Sequence, residues 1–136
     1  MVTHLPYFIT VKEMAKRKRV KTAAINEQIK RGKLPYVKMA LVKFIYDFNA
    51  AVDFHAQHPE LINFDYKTLV WLPDFAISKG LAPRTLYEEI IFGRINAFTA
   101  GDKIFIQPQD PTIAKFFEER TRKRRRRGWE IKVQGG

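Results

Sequence analysis

An internal repeat constrains the fold of this chain more than any other feature of its sequence. A shift of 61 residues lays the second half on the first without a gap. Apolar pairs at this shift include Ile25 with Leu86, Ile29 with Ile90, Phe44 with Phe105 and Ile45 with Ile106. Such pairs are expected by chance in a chain with 46% hydrophobic residues. The same shift also aligns Gly32-Lys33 with Gly93-Arg94, which chance explains less easily. Because two copies are too few for a solenoid, the sequence predicts two small units in tandem.

The first copy contains a segment, residues 20–34, with the pattern of a surface helix. Ile25 and Ile29 lie four residues apart and form one apolar face. Thr22 is expected to cap the start, because its hydroxyl can accept a hydrogen bond from a first-turn amide. Gly32 is expected to end the helix in the left-handed conformation that only glycine adopts cheaply. These features predict a short amphipathic helix with a defined start and end.

A shorter amphipathic helix precedes this segment, and the connection near Arg19-Val20 is tight. Two short helices joined in this way are typical of a helix-turn-helix. The run ITVKEMAKRKRVKTAAINEQIKRGKLPYVK resembles the winged helix-turn-helix of the excisionase group within the MerR-like superfamily. The residues that carry the resemblance are Thr10, Glu13, Met14, Ala15, Gly32, Lys33, Leu34 and Pro35.

The resemblance implies a second helix that enters the major groove and a β-hairpin wing that reaches the backbone or the minor groove. The first wing departs from the pattern, because VKMALVKFIY has no Gly, Asn or Asp at its turn, residues 39–41. Tight hairpins favour those residues, so we expect this wing to be irregular. The second copy has residues that favour a tight hairpin turn at Ala100-Gly101-Asp102.

The predicted fold is mainly α with small β-hairpin wings (α+β), built from two tandem winged helix-turn-helix units. The first unit is expected at residues 1–58, a packed connector at 59–69 and the second unit at 70–121. Residues 122–136 are expected to form a basic C-terminal arm, in which WEIKV is a candidate for a short strand.

The charge of the chain indicates a polyanionic partner. The formal net charge is +11 and the sequence pI is about 10.0, which favours nucleic acid. The charge is uneven: residues 1–46 carry +9, residues 47–110 carry −4 and residues 111–136 carry +6. The basic ends are therefore the predicted nucleic-acid-binding parts.

Composition and motifs argue against several other classes of protein. The chain has no cysteine, which excludes disulfides and thiol chemistry. No apolar run approaches the ~20 residues of a membrane span, and no signal peptide is evident, so a cytoplasmic protein is expected. His55 and His58 have no third metal ligand nearby, and Ser78 has no nucleophile motif. We therefore expect no enzyme activity, no cofactor and no metal.

The exposed side of the first unit offers donors for DNA. Asn26 can read adenine, and the neighbouring cations can bind phosphates, although a solvated helix face would look similar. The predicted contacts here are Lys16, Arg17, Lys18, Arg19, Lys21, Thr22, Asn26, Lys30, Arg31, Lys33 and Lys38.

The second unit and the arm are expected to contribute differently. Glu88 and Glu89 would face phosphate, so the second unit is predicted to bind DNA weakly, with Arg84 and Arg94 as its best contacts. The arm is predicted to bind phosphates without sequence preference. Its six consecutive cations are Arg122, Lys123, Arg124, Arg125, Arg126 and Arg127.

The sequence thus predicts a double-stranded DNA-binding protein associated with the nucleoid. An excisionase-like role in recombination directionality and a role in transcription regulation both fit the resemblance. One alternative is an adaptor whose second unit docks a recombinase or replication protein. Another is RNA binding through the arginine arm. The oligomeric state stays open.

Overall fold

The computed structural model describes the backbone of residues 1–135 and the side chains of residues 1–123. The strands are β1 (Val2–His4), β2 (Phe8–Thr10), β3 (Tyr36–Met39), β4 (Val42–Tyr46), β5 (Val70–Trp71), β6 (Ala97–Ala100) and β7 (Lys103–Ile106). The helices are α1 (Val11–Lys18), α2 (Thr22–Lys30), α3 (Phe48–Gln57), α4 (Leu72–Ser78), α5 (Pro83–Ile91) and α6 (Pro111–Gly135). Short 3-10 turns at Pro59–Leu61 and Tyr66–Thr68 connect the halves.

The 61-residue shift recurs in the positions of the elements. Helix α5 begins 61 residues after α2, and β6 begins 61 residues after β3. Phe44 and Phe105 are both fully buried, as are Ile25 and Leu86. The apolar pattern of each copy therefore drives the same local elements to form twice.

The sheets show that the predicted fold class is wrong. About half of the residues are helical and a fifth lie in strands, so the fold is an α+β mixture with two sheets rather than a mainly α fold. One sheet has the order β2-β4-β3, and the other has the order β1-β6-β7-β5. Strand β1 runs from the start of the chain to pair in parallel with β6, Val2 opposite Ala97 and His4 opposite Thr99. The hairpins are parts of these sheets, so a description as two tandem winged units does not hold.

A shared core joins the two halves. The largest cluster of buried side chains combines Phe8 and Phe44 with Phe98 and Phe105. The rings of Phe44 and Phe105 meet edge to face with centroids 6.1 Å apart. From the connecting segment, Phe64 stacks on Phe98 with centroids 4.9 Å apart. Burial of aromatic surface is the physical reason why the two copies pack against each other.

The second hairpin also touches the start of α1. Thr10 caps α1, because its Oγ1 accepts a hydrogen bond from the Glu13 amide at 3.0 Å. Gly101, at the turn between β6 and β7, lies so close that an added Cβ would be 2.5 Å from Thr10 Cγ2. Only glycine fits at this approach, which places the second hairpin against the first helix.

Helix α2 forms where expected but begins differently. Ile25 and Ile29 are buried, and Gly32 ends the helix at φ +73°, as predicted. The prediction that Thr22 caps the helix is wrong: Lys21 is the capping residue, and no side chain bonds to the first-turn amides there. The predicted strand at WEIKV is also wrong, because α6 continues as a helix to Gly135.

The turn between β3 and β4 is regular, contrary to the prediction of an irregular wing. Met39 pairs with Val42, which leaves a two-residue loop of Ala40 and Leu41. Both loop residues are left-handed, with φ of 51° and 66°, as a type I′ turn requires. Because neither is glycine, each conformation costs about 1–2 kcal/mol.

Candidate nucleic-acid interface

A positively charged concavity lies at the junction of the two halves. It is a cleft of about 760 Å³ between the start of α1, the first residues of β4 and the turn between β6 and β7. The cations that line it are Lys12, Lys16, Arg17, Lys43 and Lys103, and the carboxylates are Glu13 and Asp102. Arg17 Nε lies 3.4 Å from Glu13 Oε1, so one carboxylate is already engaged. The cleft therefore carries an excess of positive charge suited to an anionic ligand.

Sequence reasoning missed three of these cations. Lys12, Lys43 and Lys103 belong to three different elements that meet only because β1 and the shared core bring the halves together. Lys43 lies 5.4 Å from the ring centroid of Tyr36, and Lys103 lies 4.9 Å from that of Trp71. These aromatic faces hold the ammonium groups while leaving them able to bind an anion. No local sequence pattern indicates that these three lysines lie close together.

The predicted contacts on α1, α2 and the following hairpin are exposed to solvent. This applies to Lys16, Arg17, Lys18, Arg19, Lys21, Thr22, Asn26, Lys30, Arg31, Lys33 and Lys38. Lys18 Nζ bonds Gln28 Oε1 at 3.2 Å, and Arg31 Nε lies 3.0 Å from Glu27 Oε1. Such exposed pairs contribute about 0–1 kcal/mol and open readily for a phosphate.

Asn26, Glu27 and Lys30 are all exposed on α2. The opposite side buries Ile25 and Ile29 against α1 and the first sheet. Asn26 is therefore held on a rigid helix with its amide free to meet a base edge. Glu27 pairs with Arg31 and reduces the positive charge of the exposed side of α2.

Arg19 occupies the turn between α1 and α2 in a left-handed conformation, with φ 55° and ψ 44°. The corresponding residue of the second copy is Gly80, with φ +70°. Glycine adopts this conformation without steric cost, whereas arginine does not. The first copy thus has a strained backbone at this corner, where the Arg19 side chain is exposed.

The equivalent surface of the second half is chemically different. Arg84 Nε lies 3.1 Å from Glu88 Oε1, and Arg94 Nη1 lies 3.1 Å from Glu89 Oε1. Arg94 also lies over the ring of Phe92, 5.2 Å from its centroid. The two predicted contacts of this half are therefore exposed but paired with the carboxylates that were predicted to oppose DNA.

Exposed apolar side chains replace cations on this second surface. Ile77, Ile91 and Phe92 are 67%, 79% and 69% exposed. At the 61-residue shift these positions correspond to Lys16, Lys30 and Arg31 of the first half. The same backbone pattern thus presents cations in one copy and apolar groups in the other.

The predicted arm begins on α6. Arg122 pairs with Glu118, one turn earlier on the helix, and Lys123 is exposed. Arg124, Arg125, Arg126 and Arg127 lie outside the side chains that the structure describes. Phe116 and Phe117 pack against the core of the second half and hold the start of the helix in place.

Comparison with known proteins finds no match among protein-family models, curated proteins or solved structures. Within residues 1–135, no helix combines the length and the apolar character that crossing a membrane needs. Among the described side chains, no three histidines or carboxylates converge as metal ligands would.

Proposed function

We propose that this protein binds double-stranded DNA through the surface formed by α1, α2 and the basic cleft. The observation that carries the proposal is the convergence of five cations on one cleft, continuous through Lys16 and Arg17 with the exposed cations of α1. Phosphate contacts of this kind supply most of the affinity for duplex DNA and fix the position of a protein along it.

Asn26 is the residue proposed to read a base. An asparagine amide can donate to adenine N7 and accept from adenine N6 in the major groove. Lys21 at the N-cap of α2, Lys30 in its last turn and Lys33 just beyond its end are proposed to bind phosphates on either side of that base pair. The resemblance to excisionases suggests an architectural or regulatory role, in recombination or in transcription, at the nucleoid in the cytoplasm.

The primary test is selection of bound sequences from a random duplex pool, followed by affinity measurements with Asn26→Ala. The substitution should cost about 1–3 kcal/mol on the selected site at one base position. Asn63→Ala removes an exposed asparagine from the connecting segment and should change nothing. If Asn26→Ala weakens all sequences equally, Asn26 does not read a base. Tighter binding to structured RNA than to duplex at matched salt would contradict the proposal itself.

The arm is proposed to add affinity without specificity. Each lost phosphate contact lowers the slope of log affinity against log salt by roughly 0.9, so removal of residues 122–136 should lower it by about 3 to 5. The ratio between the selected site and random duplex should stay constant. An unchanged slope would exclude the arm from the interface.

A second candidate function is docking of a protein, such as a recombinase or replication protein, on the second half. The exposed Ile77, Ile91 and Phe92 favour it, because apolar side chains are enriched where proteins meet. The full chain with Ile91→Ser and Phe92→Ser should lose such a partner and keep its affinity for DNA. Loss of DNA affinity in this variant would contradict the assignment of DNA binding to the first half and protein docking to the second.

A further inference from the structure

The hairpin of β3 and β4 contains three features that oppose its own stability. Its loop residues Ala40 and Leu41 are both left-handed without being glycine. The Leu41 side chain is 95% exposed, so it contributes nothing to the core. Lys38 and Lys43 face each other across the two strands, and like charges directly opposite one another repel. A hairpin shaped for folding alone would avoid all three.

The second hairpin of the same chain avoids all three features. Its two-residue loop is Gly101-Asp102, with glycine at the left-handed position. Its cross-strand pair at the corresponding register is Thr99 with Ile104, which carries no charge. The two hairpins occupy corresponding places in the repeat. A hairpin without these three features is therefore compatible with the fold. The repeated fold therefore does not require the strain of the first hairpin.

We propose that the tip of this hairpin inserts Leu41 between two base pairs of duplex DNA and kinks it. The inference rests on the proposed DNA-binding function and extends it to a specific wedge residue. Proteins that kink DNA insert apolar side chains, leucine among them, into a base step from the minor groove. Lys38 and Lys43, one on each strand of the hairpin, then bind phosphates beside the opened step. Binding of these phosphates removes the repulsion between the two lysines.

The position of the tip agrees with this role. Val42, the residue after Leu41, lines the basic cleft together with Lys12, Lys16 and Lys43. A duplex bound at the cleft therefore comes within reach of the loop. A base step suits the tip because it offers an apolar slot between two anionic edges. An apolar protein surface would bury the two lysines without a partner, at a large cost in desolvation.

The test measures bending and stability on the same set of full-length variants. A mixed-sequence duplex of about 30 base pairs, labelled at both ends, reports the bend by energy transfer. The wild-type protein should bend it by about 20–90°. Leu41→Gly should abolish the bend and weaken binding about tenfold, since the apolar contact is lost. The same change should raise the melting temperature by about 4 °C, because glycine relieves the left-handed strain.

Two further variants make the result specific. Leu41→Met keeps an apolar wedge and should keep the bend. Ile62→Ala removes another exposed apolar side chain, from the connecting segment, and should leave bend and affinity unchanged. The double variant Ala40→Asn, Leu41→Gly has the preferred type I′ sequence, so we expect it to be at least as stable as the wild type.

The outcomes separate this inference from the proposed function. If the wild-type protein binds the duplex and Leu41→Gly bends it equally, Leu41 is not a wedge and the DNA-binding function stands. A wild-type protein that binds without bending leads to the same conclusion. If the wild-type protein binds no duplex at all, the proposed function fails and the wedge fails with it. Loss of bending with a gain in thermal stability supports the proposal.

Discussion

Backbone strain is unevenly distributed among the residues of the two halves. Arg19, Ala40 and Leu41 are the left-handed residues other than glycine within the described backbone, and all belong to the first half. Two of the corresponding positions in the second half are Gly80 and Gly101. Strained backbone conformations tend to cluster at functional sites. The strain thus marks the half that is proposed to bind DNA.

Arg19→Gly should increase stability and decrease DNA affinity. Glycine removes a left-handed conformation that costs about 1 kcal/mol, and denaturant unfolding should show a gain of that size. Loss of the guanidinium should lower the salt slope by about 0.9 if it binds one phosphate. Arg19→Lys keeps both the charge and the strain and should behave as wild type. A loss of stability in Arg19→Gly would mean that the side chain makes a stabilising contact.

Tyr7 should make the protein sensitive to alkaline pH. Burial in the core, and to a lesser degree the nearby Tyr46 and Tyr66, raises the pKa of Tyr7 from 10.0 to about 12. The folded state favours the neutral form of Tyr7. Its contribution to the free energy of unfolding is therefore fully present below pH 10 and is lost as the pH rises towards 12. The loss should reach about 2–3 kcal/mol.

Tyr7→Phe should remove that loss in denaturant unfolding curves between pH 10 and 12. Tyr36→Phe, at an exposed tyrosine of the first hairpin, serves as the control and should lose stability as the wild type does. An alkaline loss of equal size in Tyr7→Phe would assign the effect to another group.

At the scale of elements, α2 and α5 end in the same way but present different chemistry. Gly32 and Gly93 adopt φ of +73° and +74°, and each donates a hydrogen bond back to the last turn at 3.0 Å. The helix ends are therefore set by the same local physics. What differs is the outward side, where α5 carries the pairs Arg84–Glu88 and Arg94–Glu89.

Glu88→Gln with Glu89→Gln should raise the affinity for random duplex. The change releases Arg84 and Arg94 from their carboxylates, and the salt slope should rise by about 2 if both then bind phosphates. Asp53→Asn with Glu60→Gln makes the same change in net charge away from α5. An equal rise in this control would show that net charge, rather than the release of the two arginines, is responsible.

At the scale of the whole molecule, the turn between β6 and β7 joins the halves. Gly101→Ala should destabilise the protein by about 2–4 kcal/mol, because the added Cβ meets Thr10 and the left-handed conformation becomes strained. Gly80→Ala is the matched control: its φ is similar at +70°, but nothing lies within 4 Å of the added Cβ. It should cost only about 1–2 kcal/mol. Unfolding curves measure both variants, and equal losses would mean that the contact with Thr10 carries no energy.

The contact also predicts where the damage of Gly101→Ala appears. Thr10 caps α1, so displacement of its side chain should increase hydrogen exchange at the first amides of that helix, including Glu13. Exchange in α5 should change less. An equal increase in hydrogen exchange in α1 and α5 would indicate that the variant is destabilised globally and not at α1.

Local chemistry was enough to predict several parts of this molecule. The buried pair Ile25 and Ile29 and the helix end at Gly32 follow from patterns within a few residues, since helical periodicity and the needs of a left-handed turn act at that range. The start of α2 could not be predicted in this way. A threonine side chain can cap a helix, but Thr22 is already the first residue of α2, and Lys21 occupies the N-cap position.

The sheet order, the cleft and the shared core depend on tertiary structure. The side chains of His4 and Thr99 meet at 2.8 Å across 95 residues, in a parallel pairing that no local pattern specifies. The energy of that pairing comes from the burial of Phe44, Phe98 and Phe105 between the halves. Lys12, Lys43 and Lys103 share one cleft only after that burial has occurred, because contacts between distant segments become favourable only when the whole core forms.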